Sequence, residues 1–288
     1  MMLQTRSFAD SPLPRPATIR AGLAALLLLT MAPLAVAGAA PSPEEVAAAA
    51  GSSWPGLVTD VFDDRPMLDG TGIVTLEAPM RAADPAIVPI KLILDPSKNI
   101  RKLTLVIDEN PSPVAATFTI GEKSGLTTLE TRVRVNAYTD IHAVAEAADG
   151  TLYMVKRFVK AAGGCAAPAA KDAAAAAKSM GEMRLKRFGA EEGSGGAREV
   201  AQLMIRHPNN SGLQKDQVTL LYIPAHFISD LTVNRGDALV FAMSGGISIS
   251  EDPNFRFDYA AGGAEAFSAK ATDTEGAVFE KTFPAGSS

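Results

Sequence analysis

The feature that most constrains this chain is a succession of short segments rich in β-branched residues, each closed by Gly, Pro, Asn or Asp. A first series occupies residues 72–78, 86–94, 102–107, 114–120, 128–136, 141–147 and 152–159. In 128–136 the alternation is clean. Leu129, Thr131, Val133 and Val135 face one way and Glu130, Arg132 and Arg134 the other, the period of a half-buried strand. Asp149 and Gly150 between two such runs read as a tight hairpin turn. A second series follows at 183–188, 199–206, 217–223, 227–233, 238–243, 256–260, 266–271 and 277–282, with turns at 234–237 and 273–276. Neither series contains the long helical periods that a parallel α/β sheet requires between its strands. The expected class is all-β: two immunoglobulin-like antiparallel β-sandwiches. Trp54, Leu57, Val61 and Phe62, at i, i+3, i+7 and i+8, add one short amphipathic helix ahead of them.

The segments outside these series set the domain plan. Arg15 and Arg20 precede an apolar stretch over 23–34, and small residues follow at 35–39. That order reads as a secretory signal peptide over 1–37, too short in its apolar run for the roughly 20 residues of a spanning helix. The expected product is an exported, periplasmic protein with no membrane contact after cleavage. Residues 41–160 then form the first sandwich with its leading helix, and 182–288 the second. Between them lies an arm and linker, 161–181, in which 11 of 21 residues are alanine. With 27 Lys and Arg against 32 Asp and Glu, the net charge of −5 offers no basic patch for nucleic acid.

The single cysteine excludes a disulfide framework and a zinc ribbon. Cys165 stands after Gly163 and Gly164 and before two alanines and Pro168, a stretch expected to face solvent rather than a strand interior. Lys156, Arg157, Lys160 and Lys171 flank it, and nearby positive charge favours the nucleophilic thiolate. Two readings stand on this basis, a reactive thiol and a chance surface cysteine.

Other constellations are bare. His142, His207 and His226 show no ligand spacing, so neither metal nor cofactor is expected. His207 reads as a turn or capping group and His142 as a half-exposed sheet residue. The acidic pairs at 63–64 and 108–109 read as solvated or capping groups at element ends. Gly245-Gly246 and Gly262-Gly263 lack the strand and helix context of a nucleotide loop.

Several stretches resemble a known carrier family. LTLVIDENPSPVAATFTI (103–120) and TRVRVNAYTDIHAVAEAADGTLYMVKRFVK (131–160), followed by Gly-Gly-Cys, resemble SoxY. LMIRHPNNSGLQKD (203–216) and SEDPNFRFDY (250–259) resemble SoxZ. WPGLVTDVFDDRP (54–66) and the single-chain arrangement are similar to the fused SoxYZ-like carriers associated with quinoprotein (PQQ-dependent) dehydrogenases. The resemblance implies a non-enzymatic carrier in which Cys165 is the covalent sulfur attachment point and Gly163 and Gly164 form a flexible arm. It implies sulfur-oxidation-type enzymes or cytochromes, and a quinoprotein dehydrogenase, as partners. This chain departs from the family pattern after the cysteine, where Ala166, Ala167 and Pro168 replace a glycine-rich free end. The alternative is a non-covalent accessory module for a dehydrogenase, with an incidental cysteine.

Overall fold

A leading helix, α1 (Trp54–Phe62), begins on a proline in its first turn and ends where Asp63 adopts a left-handed conformation. The computed structural model describes residues 51–168, 173–190 and 197–286; the expected signal peptide and Lys171 lie outside them. The Ser53 amide and hydroxyl donate to the Glu109 carboxylate, which fastens the start of α1 to the sheet. Phe62 is buried beneath α1 against Val106, Val144 and Leu152, with Trp54, Leu57 and Val61 packed beside it. The helical stripe read from the sequence is thus the docked face.

Among the described residues fifteen strands follow. The first half contributes β1 (Met67–Asp69), β2 (Val74–Glu77), β3 (Val88–Leu94), β4 (Ile100–Ile107), β5 (Val114–Ile120), β6 (Thr128–Val133), β7 (Thr139–Ala147) and β8 (Leu152–Val159). A short helix, α2 (Ala173–Lys178), precedes the second half. That half contributes β9 (Met183–Ala190), β10 (Arg198–Ile205), β11 (Ile228–Arg235), β12 (Ala238–Gly245), β13 (Asn254–Ala260), β14 (Phe267–Asp273) and β15 (Val278–Phe283). The expected strand at 217–223 is absent. Its alternation belongs to an exposed turn closed by the Lys215–Tyr222 bridge, in which the Asp216 carboxylate accepts the amides of Val218 and Thr219. Among the described strands the ladders are antiparallel except β1 with β8, a short parallel edge extended by the isolated parallel bridge Arg81–Lys160.

The two sandwiches share their sheets. One sheet runs β1-β8-β7-β4-β5-β12-β11-β14-β15 and the other β2-β3-β6-β13-β10-β9. Both therefore cross from one half to the other, through β5–β12 in the first layer and β6–β13 in the second. The edges that two separate sandwiches would expose are paired with each other. The apolar core is continuous across the join: Phe118 on β5 makes edge contacts with Phe241 on β12 and Phe255 on β13 at 6.2 and 6.3 Å. Asp258, buried on β13, accepts the amides of Thr127 and Thr128 at 2.7 and 2.6 Å, so a carboxylate from one half caps the start of β6 in the other.

Candidate functional site

The segment after β8 is tied down along its length. The Lys160 amide donates to Met80 and its carbonyl accepts from Ala82. Beyond Ala161 and Ala162 the chain turns back on the 134–136 segment. The Gly163 amide donates to the Asn136 carbonyl at 2.9 Å and the Gly164 amide to the Val135 carbonyl at 3.0 Å, and Ala166 closes a turn onto the Gly163 carbonyl. The other half grips the same segment from its opposite side: the Ser211 hydroxyl donates to the Cys165 carbonyl, and Gln214 Nε2 to the Ala167 carbonyl at 3.0 Å.

This docking corrects the expectation of a solvent-facing thiol. Cys165 has no exposed surface. Each glycine serves the bent, buried conformation. Gly163 holds φ at +80°, in the left-handed region, and a Cβ on Gly164 would stand 2.1 Å from the Pro85 carbonyl oxygen. Sequence reasoning treated glycine only as a source of freedom and overlooked its use in close backbone approach.

The electrostatics differ from the expected activation as well. Burial pushes the thiol up to about 11, and the opposing cation is Arg134 rather than the flanking lysines. Lys156 is instead paired with Asp140 at 2.7 Å. Docked Cys165 is a protonated thiol at neutral pH, sheltered and unreactive.

The alternation of its strand puts Arg134 on the polar, outward face. In the structure it is 2% exposed, and its Nη1 donates to the carbonyls of Asn209 and Ile249 at 3.0 Å each, across the join. It lies just past β6, where alternation against solvent gives way to the interface between halves. Asn110 completes the polar seam, with Nδ2 donating to the Arg134 carbonyl and to Ser248 Oγ, and Oδ1 accepting from Asn136, all at 2.8 Å.

Behind the loop that carries Ser211, the fold assembles three groups the sequence kept apart. Donor atoms of His207, His226 and Asp273 lie within 4.8 Å of one another. Asp273 Oδ2 is 2.8 Å from His226 Nε2 and 3.5 Å from His207 Nε2. The turn role expected for His207 is present, since its Nδ1 accepts the Asn209 amide at 3.0 Å. That bond leaves the neutral ring's proton on Nε2, facing Asp273, where no lone pair remains for a metal ion. Burial, followed by the neighbouring His226, holds the His207 pKa below its ordinary value. Burial alone would raise Asp273, but hydrogen bonds from His226 and from the amides of Ala277 and Glu275 outweigh it and hold the carboxyl low. A cleft of about 580 Å³, lined by Pro168, Lys215, His226 and Glu275 among others, opens beside this cluster.

His142 also departs from its expected place. It is 2% exposed, stacked on Trp54 at 3.6 Å and paired through Nδ1 with Asp108 at 2.8 Å. Asp108 is accordingly a buried partner rather than a solvated end group, whereas Glu109 caps α1 as an end group would. Among the described residues no helix is long and apolar enough to cross a membrane.

Comparison with known proteins matches the same two halves. The family model for the sulfur oxidation protein SoxY matches residues 58–165, closing on Cys165, and that for the sulphur oxidation protein SoxZ matches 188–284. No curated protein matches the chain. The solved structure of the sulfur carrier protein SoxY from Chlorobium limicola f thiosulfatophilum is 20% identical, with a TM-score of 0.33, over 41% of this chain and 97% of that one. A β-glycosidase from Bacteroides vulgatus is 8% identical, with a TM-score of 0.22, over 74% of this chain and 24% of that one.

Proposed function

The chain belongs to the fused SoxYZ-like sulfur-oxidation carriers, and from that premise we propose that it holds sulfur-containing groups covalently on Cys165 for partner enzymes without itself being a catalyst. The observation that carries this reading is the place of Cys165. It is the last residue of the SoxY match and sits on a segment held to both halves by hydrogen bonds rather than by a strand ladder.

In this reading the docked thiol is the resting state and the arm must leave the seam to be loaded. Release breaks the hydrogen bonds donated by the two glycine amides, Ser211 and Gln214, and leaves the sheets intact. From Ala161 to Cys165 the freed chain spans about 13 Å at about 3.3 Å per residue. Because the chain continues beyond Pro168, the thiol travels at the tip of a loop and suits a partner site with an open mouth. The leader expected over 1–37 supports a periplasmic setting for this work, and the resemblance to the quinoprotein-associated branch makes a PQQ-dependent dehydrogenase system the setting we favour.

The test is the intact mass of the chain recovered from the periplasm of its own host without reductant, before and after dithiothreitol. The carrier reading expects reductant-labile additions in steps of one sulfur atom, or a thiosulfonate, mapped to Cys165. A uniformly unmodified thiol in cells expressing the protein overturns it.

One observation favours an accessory role as a second reading. The turn beyond Gln214 exposes Val218, Leu220, Leu221 and Tyr222, an apolar tip suited to contact with another protein. If a Cys165→Ser chain supports every activity that depends on the wild type, the accessory reading replaces the carrier.

A further inference from the structure

The fate of the buried guanidinium separates a mere shelter for a thiol from a site built for cargo. Arg134 is 2% exposed, and its Nε has no hydrogen-bond partner. Its Nη1 bonds go to neutral carbonyls, those of Asn209 and Ile249. A buried cation with neutral partners and an orphan donor is a costly arrangement unless an anion completes it.

The chain path puts the cargo residue at that place. The Gly164 amide pairs with the Val135 carbonyl, so Cys165 comes next along the antiparallel path, beside Arg134. One loop walls both groups. Asn209 accepts from the guanidinium, and Ser211, two residues on, holds the Cys165 carbonyl. Cys165 and the half-buried carboxylate of Glu251 are the two acidic groups that act on Arg134.

We infer that Arg134 is the counter-ion for a negatively charged sulfur on docked Cys165, which makes the seam a binding site for a persulfide anion. This inference rests on the carrier reading and adds to it the residue that holds the charge of the cargo. A persulfide is intrinsically a stronger acid than a thiol. The unloaded arm therefore docks as a neutral thiol and leaves the guanidinium with only the half-buried Glu251 carboxylate to offset it, whereas the loaded arm docks as an anion and completes it. Docking is selective for the loaded state, which guards the sulfane sulfur from stray thiols between partners.

The experiment uses the full chain carrying two adducts of similar size. Inorganic hydrogen disulfide loads the persulfide: Cys165–S⁻ + HSS⁻ gives Cys165–SS⁻ + HS⁻. Methyl methanethiosulfonate loads a neutral control: Cys165–S⁻ + CH₃SO₂SCH₃ gives Cys165–SSCH₃ + CH₃SO₂⁻. Both adducts are verified by intact mass. At neutral pH the persulfide form should melt at least about 3 °C above the methyl disulfide form, a shift easily resolved for a domain of this size. Arg134 lowers the pKa of the docked persulfide, so this gap should close as pH falls through that value.

In Arg134→Met the gap disappears, and in Arg134→Lys part of it returns, whereas a purely structural Arg134 would lower both melting points together and leave the gap unchanged. If Arg134→Met fails to fold, the wild-type pair decides alone. Equal melting points for the two wild-type adducts, or a gap that survives Arg134→Met, overturn the inference and leave the carrier reading standing. If neither reagent reacts with the folded chain, the thiol never leaves the seam and both fall together.

Discussion

The two halves meet in two different ways, and the contrast separates what is permanent in this molecule from what can move. At β5–β12 and β6–β13 the join is made of backbone ladders in both layers over a shared aromatic core. At the arm only two side-chain hydrogen bonds cross, from Ser211 and Gln214, while the glycine amides fasten the arm to its own half and the small Cys165 side chain is buried beneath them. A net hydrogen bond contributes on the order of 1 kcal/mol, whereas a buried Phe in a shared core contributes several. The first join therefore sets the rigid frame, and the second can open without disturbing it.

Phe118→Ala tests the permanent join. It empties the meeting point of Phe118, Phe241 and Phe255 and should cost about 3–5 kcal/mol. Urea unfolding followed by two probes, one in each half, should remain a single transition at a lower midpoint. Separate transitions would show that the halves fold independently.

Gly164→Ala tests the latch. The new Cβ meets backbone on two sides, the Pro85 and Val135 carbonyls, whose segments are themselves tied together by the bond from the Val135 amide to the Pro85 carbonyl. The arm should undock, with Cys165 alkylated near the rate of the unfolded chain while the far-UV spectrum is retained. A thiol still protected in this variant would contradict the docking geometry.

Acid should weaken the loop behind the latch. The His207 pKa is held below its unfolded value of about 6.5, so the unfolded chain takes up the proton first and stability declines as pH falls below that value. For one proton the slope is at most about 1.4 kcal/mol per pH unit. The Asp273 carboxyl, also held low, adds a further loss in the carboxylate range. Melting temperatures of wild type and His207→Gln between pH 7 and 5 read the first effect, which the variant should lack.

Gln214→Ala removes one bond from the latch, to the Ala167 carbonyl, and one within the loop, from the Ser211 amide, and should be the mildest change to the arm. A loss of about 1 kcal/mol of docking raises the open fraction, and with it the alkylation rate, about fivefold, and the buried Ser211 amide left unpaired should cost about 1–3 kcal/mol of global stability.

Much of this frame was legible in the sequence because strands with one wet and one dry face print a period of two. β5 and β8 were read to the residue, and the stripe of α1 was read from Trp54, Leu57, Val61 and Phe62. The pattern failed where burial had another source than a sheet face. Arg134 belongs to a polar run, yet it enters a seam made by a partner more than seventy residues away. His207, His226 and Asp273 converge only through the pairing of β11 with β14 and the loop before β11. The segment at 217–223 alternates like a strand but has no neighbour on either edge to complete a ladder. At Cys165 the composition was read correctly as non-strand, and the burial was missed. No periodicity encodes an arm that lies down on its own sandwich, although two adjacent glycines are compatible with close approach as well as with freedom.

The central claim, a docked thiol that can be released, is tested most directly by the rate at which iodoacetamide labels Cys165 in the folded full-length chain compared with the same chain in urea. The account predicts labelling slower than in the unfolded chain by a factor between about 10 and 1,000, the range of a local opening costing about 1–4 kcal/mol, and proceeding to completion with the fold intact. Labelling at the unfolded rate would show that the arm does not dock, and labelling that waits for global unfolding would show that it does not leave.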